Sequence, residues 1–442
     1  MEKEQEKNLS WIGPISKESD FGLNNIPFGI ASRISEGTNA RHFAATAIGD
    51  FVIDLGALAL AGLFSDVEGG DVTCAALQKP LLNDFMALGR PIWRSVRSKI
   101  QSLFRLTTDS TLRDNTDLRK ISIISTSDIV MHLPARIGDY TDFYSSRDHA
   151  YNVGVMIRGP ANALQPNWSW LPVGYHGRSS SVVVSGTNFK RPCGQLQADP
   201  TDATKGAIFG ATKRLDFELE VGAWIGTGNA LGDPIAVKEA DQHIFGLCLM
   251  NDWSARDIQT WEYVPLGPFC AKNFCTSVSP WIVTLDALEG FKCPTSSGAQ
   301  EPAPLPYLVD KEYGSYDIQL EVSIRPNGQS EDEAGSIVTR SNYKHMYWNL
   351  RQQLAHHTIS GCNMNTGDLF GSGTVSGPTE GERGCLLELT WKGEKPLQLA
   401  GGETRTFLKD GDEVIMKGWC EKEGTGRVGF GKCSGIVLKA NE

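Results

Sequence analysis

Residues 214–224 read RLDFELEVGAW, with Asp216, Glu218 and Glu220 at every second position and Leu215, Phe217, Leu219 and Val221 between them. Alternation of period two predicts a β-strand with the three carboxylates on one face and apolar side chains on the other. Same-face neighbours on a strand sit about 7 Å apart. At an effective dielectric of about 20, each adjacent carboxylate pair then repels by about 2 kcal/mol, and in water by well under about 1 kcal/mol. Two readings fit: a solvated edge whose acids deter edge-to-edge association, or an acidic face turned on a cation. The pattern alone leaves them balanced.

Working outward, further strands are predicted in SSVVVSG (180–186), HIFGLCLMNDW (243–253), SVSPWIVTL (277–285), YDIQLEVSI (316–324), CLLELTW (385–391), DEVIMKGW (412–419) and GIVL (435–438). Two stretches among them read as helices, SARDIQTWEY (254–263) and NYKHMYWNLRQQLAHHTIS (342–360), the latter ending before Gly361. The first third differs. HFAATAIGDFVIDLG (42–56) has strand character, and GRPIWRSVRSKIQSLF (89–104) places Ile92, Val96, Ile100 and Leu103 or Phe104 at helical spacing behind Pro91. The polar stretch 107–120 shows no clear period, and a domain boundary is placed after it, between residues 133 and 134. The fold class is therefore mainly β with some α, a smaller N-terminal domain preceding a large β-rich one.

The chain has 442 residues, ample for two or three domains and large cores. A formal charge of −10, with no basic cluster interleaved with aromatics, argues against nucleic acid or an anionic membrane as partner. The start, MEKEQEKNLSW, is charged and is read as neither a secretory signal nor a membrane span. The ten cysteines include no CxxC pair, and Cys270 and Cys275 are five apart, which predicts a reduced cytoplasmic protein rather than a disulfide framework or a zinc site.

Three segments concentrate groups able to do chemistry. One is the acidic strand itself. The second, residues 138–159, brings Asp142, Tyr144, His149 and Arg158 into one Gly-bounded stretch. A lone histidine is more often a core or surface residue than a base, and its polar neighbours raise that reading only modestly. The third, residues 245–277, runs from an apolar strand into Asn251 and Asp252, then Ser254 as a candidate helix N-cap. Arg256, Gln259 and Tyr263 follow at spacings of three and four, on one helix face, and Lys272 and Thr276 lie beyond a Pro-Gly loop. The bland alternative makes Asp252 a second cap. There is no Walker loop, no HExxH and no GxSxG. Ser179–Ser181 near His176 read as a polar turn rather than a nucleophile. His356 and His357 adjoin on a helix and point apart, a poor metal pair.

The segments IGDYTDFYSSRDHAYNVGVMIRG (137–159), LPVGYHGRSSSVVVSGT (171–187), LDFELE (215–220), MNDWSARDIQTWEYVPLGPF (250–269) and SGTVSGP (372–378) followed by LLELTWKG (386–393) resemble, in order, the fumarylacetoacetate hydrolase family. LDFELE alone marks the superfamily, whereas the 250–269 stretch resembles the long members that carry an N-terminal domain. The resemblance implies an SH3-like barrel in the N-terminal domain, a mixed β-sandwich roll in the C-terminal one, and a homodimer. It implies hydrolysis of 4-fumarylacetoacetate to fumarate and acetoacetate, the closing step of tyrosine and phenylalanine degradation.

Carried over by residue, the resemblance implies metal ligands at Asp142, Glu218, Glu220 and Asp252, with a second cation position at Asp252, Thr276 and the Lys272 backbone. It implies His149 as base with Glu388 as its orienting carboxylate, and substrate contacts from Tyr144, Arg158, Tyr175, Gln259, Tyr263 and Thr374. Arg256 and Lys272 complete the site. Asp216 is expected to share the acidic face but to stand one step beyond the cation. Two departures stand out. Cys275 occupies the place of a small residue, where it would perturb the loop or sensitise it to oxidation, and Asp148 adds an anion beside His149.

Breaking a carbon–carbon bond of a β-diketone with water requires a base, donors to a tetrahedral oxyanion, and stabilisation of an enolate leaving group. Four carboxylates without Cys or His form a hard, oxygen-only set suited to Ca²⁺ or Mg²⁺ rather than zinc. Lys272 and Arg256 offset the excess negative charge. The alternatives are another superfamily enzyme acting on 2-oxo or β-diketo acids, such as an acylpyruvate hydrolase or an oxaloacetate decarboxylase, or a metal-stabilised binding protein without catalysis. The conjunction of His149, Glu388, Lys272 and Arg256 argues against the last.

Overall fold

A computed structural model describes residues 9–330 and 333–441. The charged segment MEKEQEKN and Glu442 lie outside the described residues. Five short strands near the start form one antiparallel sheet in the order Ile123–Ser125, Phe51–Asp54, Phe43–Ile48, Gly29–Arg33, Ile129–His132. Helix Arg90–Phe104 buries Trp93, Val96, Ile100, Leu103 and Phe104. The stripe begins at Trp93 rather than Ile92, which is only half-buried. Burying each such side chain contributes about 1.5–3 kcal/mol, and here the burial joins the N-terminal part to the rest. Trp93 meets Phe245 edge-on at 5.0 Å, and one core cluster unites these helix residues with Trp224, Met250 and Leu369 of the central sheet.

That central sheet positions the site. Its order is Gly174–His176, Tyr140–Phe143, Leu369–Gly371, Leu219–Ile225, Ile244–Asp252, Thr276–Val278, Val182–Val184, with Val283–Thr284 also paired to Ile244–Asp252. A second sheet, Ser336–Asn342, Gln319–Arg325, Glu413–Lys422, Gly426–Leu438 and Phe189–Lys190, lies over one face. Leu219, Val221, Ala223, Leu247 and Leu249 of the first meet Leu320, Val322, Ile324, Val414 and Met416 of the second in one core, the interdigitation of a sandwich. The opposite face of the central sheet carries Trp224 and Met250 against the N-terminal helices. Both faces are therefore dry. Mostly β with some helix is the observed class. Among the described residues no helix is long and apolar enough to cross a membrane.

Local differences from the sequence reading have physical causes. CLLELTW is not a strand: Leu386–Leu389 is a helical turn, because the Asp216 carboxylate accepts from the backbone N–H groups of Leu386 and Leu387 at 2.7 and 2.9 Å. SVSPWIVTL is split into Thr276–Val278 and Val283–Thr284 around Pro280, which offers no N–H to a ladder. The opening stretch is likewise two pieces, Leu215–Asp216 and Leu219–Ile225. Residues 342–360 hold a 3₁₀ turn, Tyr343–His345, and a separate helix, Leu350–Thr358, capped by Asn349 and Gln352 acting reciprocally. Ser254 is not a helix cap. It lies in strand Ser254–Ala255 and its hydroxyl donates to the Asp252 carbonyl, while Ala255 occupies the cap position. The polar stretch after Phe104 forms two short helices, Thr111–Asp114 and Thr116–Ser122.

Candidate active site

Asp142, Glu220 and Asp252 come from three strands of the central sheet, and each lies on its N-terminal-facing side. Asp142 and Gly371 are register partners, as are Gly371 and Gly222, while Glu220 pairs with Met250, two residues before Asp252. One oxygen from each carboxylate lies within 4.8 Å of the others, and all three residues are buried. The acidic face of the opening stretch is thus turned away from water. Asp142 Oδ1 and Glu220 Oε1 find no hydrogen-bond partner, an expensive arrangement unless a cation fills the gap. Gly371 leaves that gap open: a Cβ there would stand 2.8 Å from Glu220 Oε2 and 2.9 Å from Asp142 Oδ1. Burial, reinforced by the neighbouring carboxylates, raises both Asp142 and Glu220 well above the ordinary carboxylate range. The donor set is oxygen-only and fits a hard divalent cation.

Glu218 is adjacent but faces two cations. Arg256 Nη1 meets its Oε1 at 2.8 Å and Lys272 Nζ holds its Oε2. Burial works against its charge, yet Lys272 and Arg256 prevail and hold its carboxyl down at about 2. Lys272 also grips Asp252 Oδ2 at 2.5 Å, Tyr175 Oη donates to the same oxygen at 3.3 Å, and Thr276 Oγ1 donates to Asp252 Oδ1 at 3.0 Å. Glu220 Oε2 accepts from the Gly373 N–H at 3.0 Å. Arg256 Nε binds Asp216 at 2.8 Å, whereas its Nη2 is buried without a partner, a donor still unspent.

His149 sits in the first turn of helix Arg147–Arg158, where the Ser146 hydroxyl caps by accepting from the His149 N–H at 3.3 Å. Its Nδ1 meets Glu388 Oε2 at 2.5 Å. Glu388 is fully buried, and that oxygen also accepts from Ser376 Oγ at 2.8 Å and Cys385 Sγ at 3.2 Å, while Asn152 Nδ2 donates to Oε1 at 2.9 Å. Burial opposes the Glu388 charge, but His149 and these donors outweigh it and hold the carboxyl at about 2. An ionised Glu388 accepts from Nδ1, so the neutral ring carries its lone pair on Nε2. His149, Cys385 and Glu388 also lie close enough to suggest a metal cluster. The Cys385 thiol, pushed well above its ordinary value by burial and by Glu388, stays protonated and serves as a donor instead.

Of the anticipated substrate contacts, Tyr144 stacks edge-on to His149 at 5.3 Å. Tyr175, Asp252 and Lys272 line a cavity of about 350 Å³ together with Tyr140, Arg178 and Phe269. Gln259 Oε1 accepts from Arg256 Nη1 at 3.2 Å, and Tyr263 follows at the helix end, 36% exposed. Thr374 is buried in the segment after Gly371. Arg158 is turned to backbone carbonyls, donating to Asn162 at 3.0 Å and Ala163 at 2.6 Å. Cys275 is buried and its thiol is pushed up to about 12 by that burial, so oxidation is disfavoured rather than invited. Asp148, raised by burial, is compensated by His345 and Arg147.

Sequence reasoning missed Asn152 and Ser376 as supports of Glu388. Asn152 stands three residues after His149 on the same helix, a spacing that carried the signal. Asp216 is not idle either: through Leu386, Leu387 and Arg256 it fixes both the turn that carries Glu388 and the cation on Glu218.

A buried His149–Glu388 pair and a cluster of buried carboxylates able to hold a metal ion, on a β-sandwich with an N-terminal sheet, point to the class. Residues 140–434 match the family model described as fumarylacetoacetate (FAA) hydrolase C-terminal, and residues 24–134 match the model described as fumarylacetoacetase N-terminal. The chain belongs to the fumarylacetoacetate hydrolase family. It is 50% identical to fumarylacetoacetase of Homo sapiens over 435 residues, covering 98% of this chain and 99% of that one. It is likewise 50% identical to fumarylacetoacetase of Arabidopsis thaliana over 424 residues, covering 96% and 97%. A solved fumarylacetoacetate hydrolase from psychrophilic Exiguobacterium antarcticum shares the fold at 15% identity, with a TM-score of 0.50 over 94% of this chain and all of that one.

Proposed function

We propose that the chain hydrolyses 4-fumarylacetoacetate to fumarate and acetoacetate, as the last step of tyrosine and phenylalanine degradation. The substrate rests on relatives at half identity over almost the whole chain. The structural observation that carries the mechanism is the 2.5 Å contact between His149 and Glu388, 239 residues apart in sequence. His149 Nε2 takes a proton from the attacking water, and Glu388 holds the ring in orientation and stabilises the imidazolium. Water oxygen bonds to the fumaryl carbonyl carbon, and the oxyanion that develops is met by Arg256 Nη2, Gln259 and Lys272, worth about 3 kcal/mol per well-placed donor. The bond to the central carbon then breaks, its electron pair leaves on the acetoacetate enolate, and His149 returns the proton.

Asp142, Glu220 and Asp252, with Glu218 beside them, are the residues that would hold a divalent cation, with Thr276 and the Lys272 backbone at a second position next to Asp252. Mg²⁺ or Ca²⁺ there would supply Lewis acidity to polarise the diketone oxygens. Tyr144, Tyr175, Tyr263, Thr374 and Arg158 would contact the substrate, Arg158 only after giving up a backbone carbonyl. The same reading carries a division at residues 133 and 134, a homodimer and a cytoplasmic setting. Exposed Ile208 and Phe209 on the hairpin strand Ala207–Ala211 are apolar surface that a second copy would cover, and free thiols suit a reducing compartment.

Purified protein should release fumarate and acetoacetate in equal amounts from 4-fumarylacetoacetate. Turnover of oxaloacetate or acylpyruvates alone would move it to another branch of the family, and inertness toward all of them would leave a binding protein.

A further inference from the structure

Lys272 and Arg256 hold Glu218 from opposite sides, yet they lie on different pieces of chain. Arg256 opens helix Arg256–Glu262, whereas Lys272 follows the loop that leaves it. That loop contributes little burial of its own: Val264 is 67% and Leu266 94% exposed. What closes it is a carboxylate. Glu262 Oε1 accepts from the N–H groups of Phe269 and Ala271 at 2.8 and 2.7 Å, and Oε2 from Cys270 at 3.1 Å. Three successive backbone donors converge on one side chain, the geometry of an anion-binding nest filled from within the chain. Phe269 O in turn accepts from the N–H groups of Lys272 and Asn273 at 3.1 and 2.9 Å, so the clamp sets the origin of the Lys272 side chain. Further ties flank Lys272, from Ala255 N–H to the Ala271 carbonyl at 2.9 Å and from Ser181 Oγ to the Asn273 carbonyl at 2.7 Å, but only Glu262 gathers the 269–271 N–H groups themselves.

We propose that Glu262 is a positioning residue for the reaction: by binding the 269–271 backbone to the end of the Arg256 helix, it fixes Lys272 against Arg256 across Glu218. This rests on the function proposed above for its catalytic consequence, but not for the clamp itself. An acceptor-only group suits three N–H donors. Glu262→Gln would set an amide N–H₂ against one of them and open the clamp, and Glu262→Ala would remove it.

The direct test labels amines in the metal-free protein with acetic anhydride and maps the sites by peptide mass spectrometry, using exposed Lys213 as internal standard. Lys272, buried between two carboxylates in the parent, should react about tenfold faster relative to Lys213 in either Glu262 variant, as expected for local opening. Val322→Ala, a cavity in the distant sandwich core, should lower the melting temperature without changing that ratio. In the turnover assay the Glu262 variants should lose about ten- to a hundredfold in kcat with KM within about threefold, and Val322→Ala should lose neither. An unchanged Lys272 ratio in Glu262→Ala overturns the proposal, as does a changed ratio with kcat kept within about twofold of the parent. A parent inactive on the substrate sinks the functional reading instead, and the labelling ratio then decides the clamp alone.

Discussion

Replacing Glu388 by Gln removes a charge and almost no volume, which isolates what the carboxylate does for His149. In the parent, Oε2 accepts from His149 Nδ1, Ser376 and Cys385, and Oε1 from Asn152. A glutamine can satisfy this set in two ways. With its oxygen toward His149, the ring keeps Nδ1 as donor and Nε2 as base, Asn152 must turn its own amide, and the imidazolium loses its anionic partner. With its N–H₂ toward His149, Nδ1 becomes the acceptor, Nε2 carries the proton, and the base is lost in that tautomer. The first case removes the difference between a charge-assisted and a neutral hydrogen bond in a dry site, about 2–4 kcal/mol, or about 30- to 1,000-fold in kcat. The second costs more, of the order of the ten-thousandfold seen when the carboxylate of a serine-protease triad is made an amide. The assay is fumarate release at saturating substrate, with the melting temperature and cation binding of the variant recorded alongside. The expected outcome is a folded, cation-binding protein with kcat reduced at least about 30-fold. A Gln variant within about threefold of the parent would refute the role given to the dyad.

Further consequences are open to measurement. Glu388, held at about 2 against an ordinary 4.5, gives stability that is present above pH 4.5 and lost as pH falls toward 2, in total about 3 kcal/mol. The stability gap between parent and Glu388→Gln, followed by denaturant titration, should therefore narrow across that window. A gap independent of pH between 5 and 2.5 would contradict the assignment. Asp216→Ala should cost about 3–5 kcal/mol of folding stability by leaving Arg256 Nε and two helix N–H groups without an acceptor, while Glu220→Gln should cost cation affinity with the fold retained, as read by denaturation and calorimetry. Gly371→Ala puts a methyl into the gap between Asp142 and Glu220. It should weaken Mg²⁺ or Ca²⁺ binding by at least about tenfold, and unchanged affinity would place the cation elsewhere. Iodoacetamide on the native protein should alkylate exposed Cys270 and spare buried Cys275, and equal labelling would show the loop before Thr276 to be open.

The strands that carry the site were legible for two reasons: Ile244–Asp252 is an unbroken apolar run ending in an acid, and the acids leading into Leu219–Ile225 alternate with apolar residues. Helix Arg147–Arg158 was not anticipated, since its apolar stripe is thin and polar residues occupy its first turn. The turn Leu386–Leu389 reads as a strand because it sits in a short apolar run, CLLELTW, broken by a single Glu, and its helical form depends on Asp216, 170 residues earlier. No local rule contains that contact. The same limit explains the acids of the opening stretch. Their alternation was plain, but whether they met water or a cation depended on the N-terminal helices covering the far face of the sheet. It also explains Glu262, which reads as an ordinary helix-end acid until the chain returns to it.

In the mechanism proposed above, the buried cluster of Asp142, Glu220 and Asp252 holds a divalent cation on which hydrolysis depends. The most direct measurement is fumarate release by protein stripped with a chelator, before and after adding back Mg²⁺ or Ca²⁺, run in parallel on Glu220→Gln. Activity should fall to background on stripping, return with either cation in the parent, and fail to return in the variant. Stripped parent that works at the full rate, or a Glu220→Gln variant restored as completely as the parent, would contradict the account.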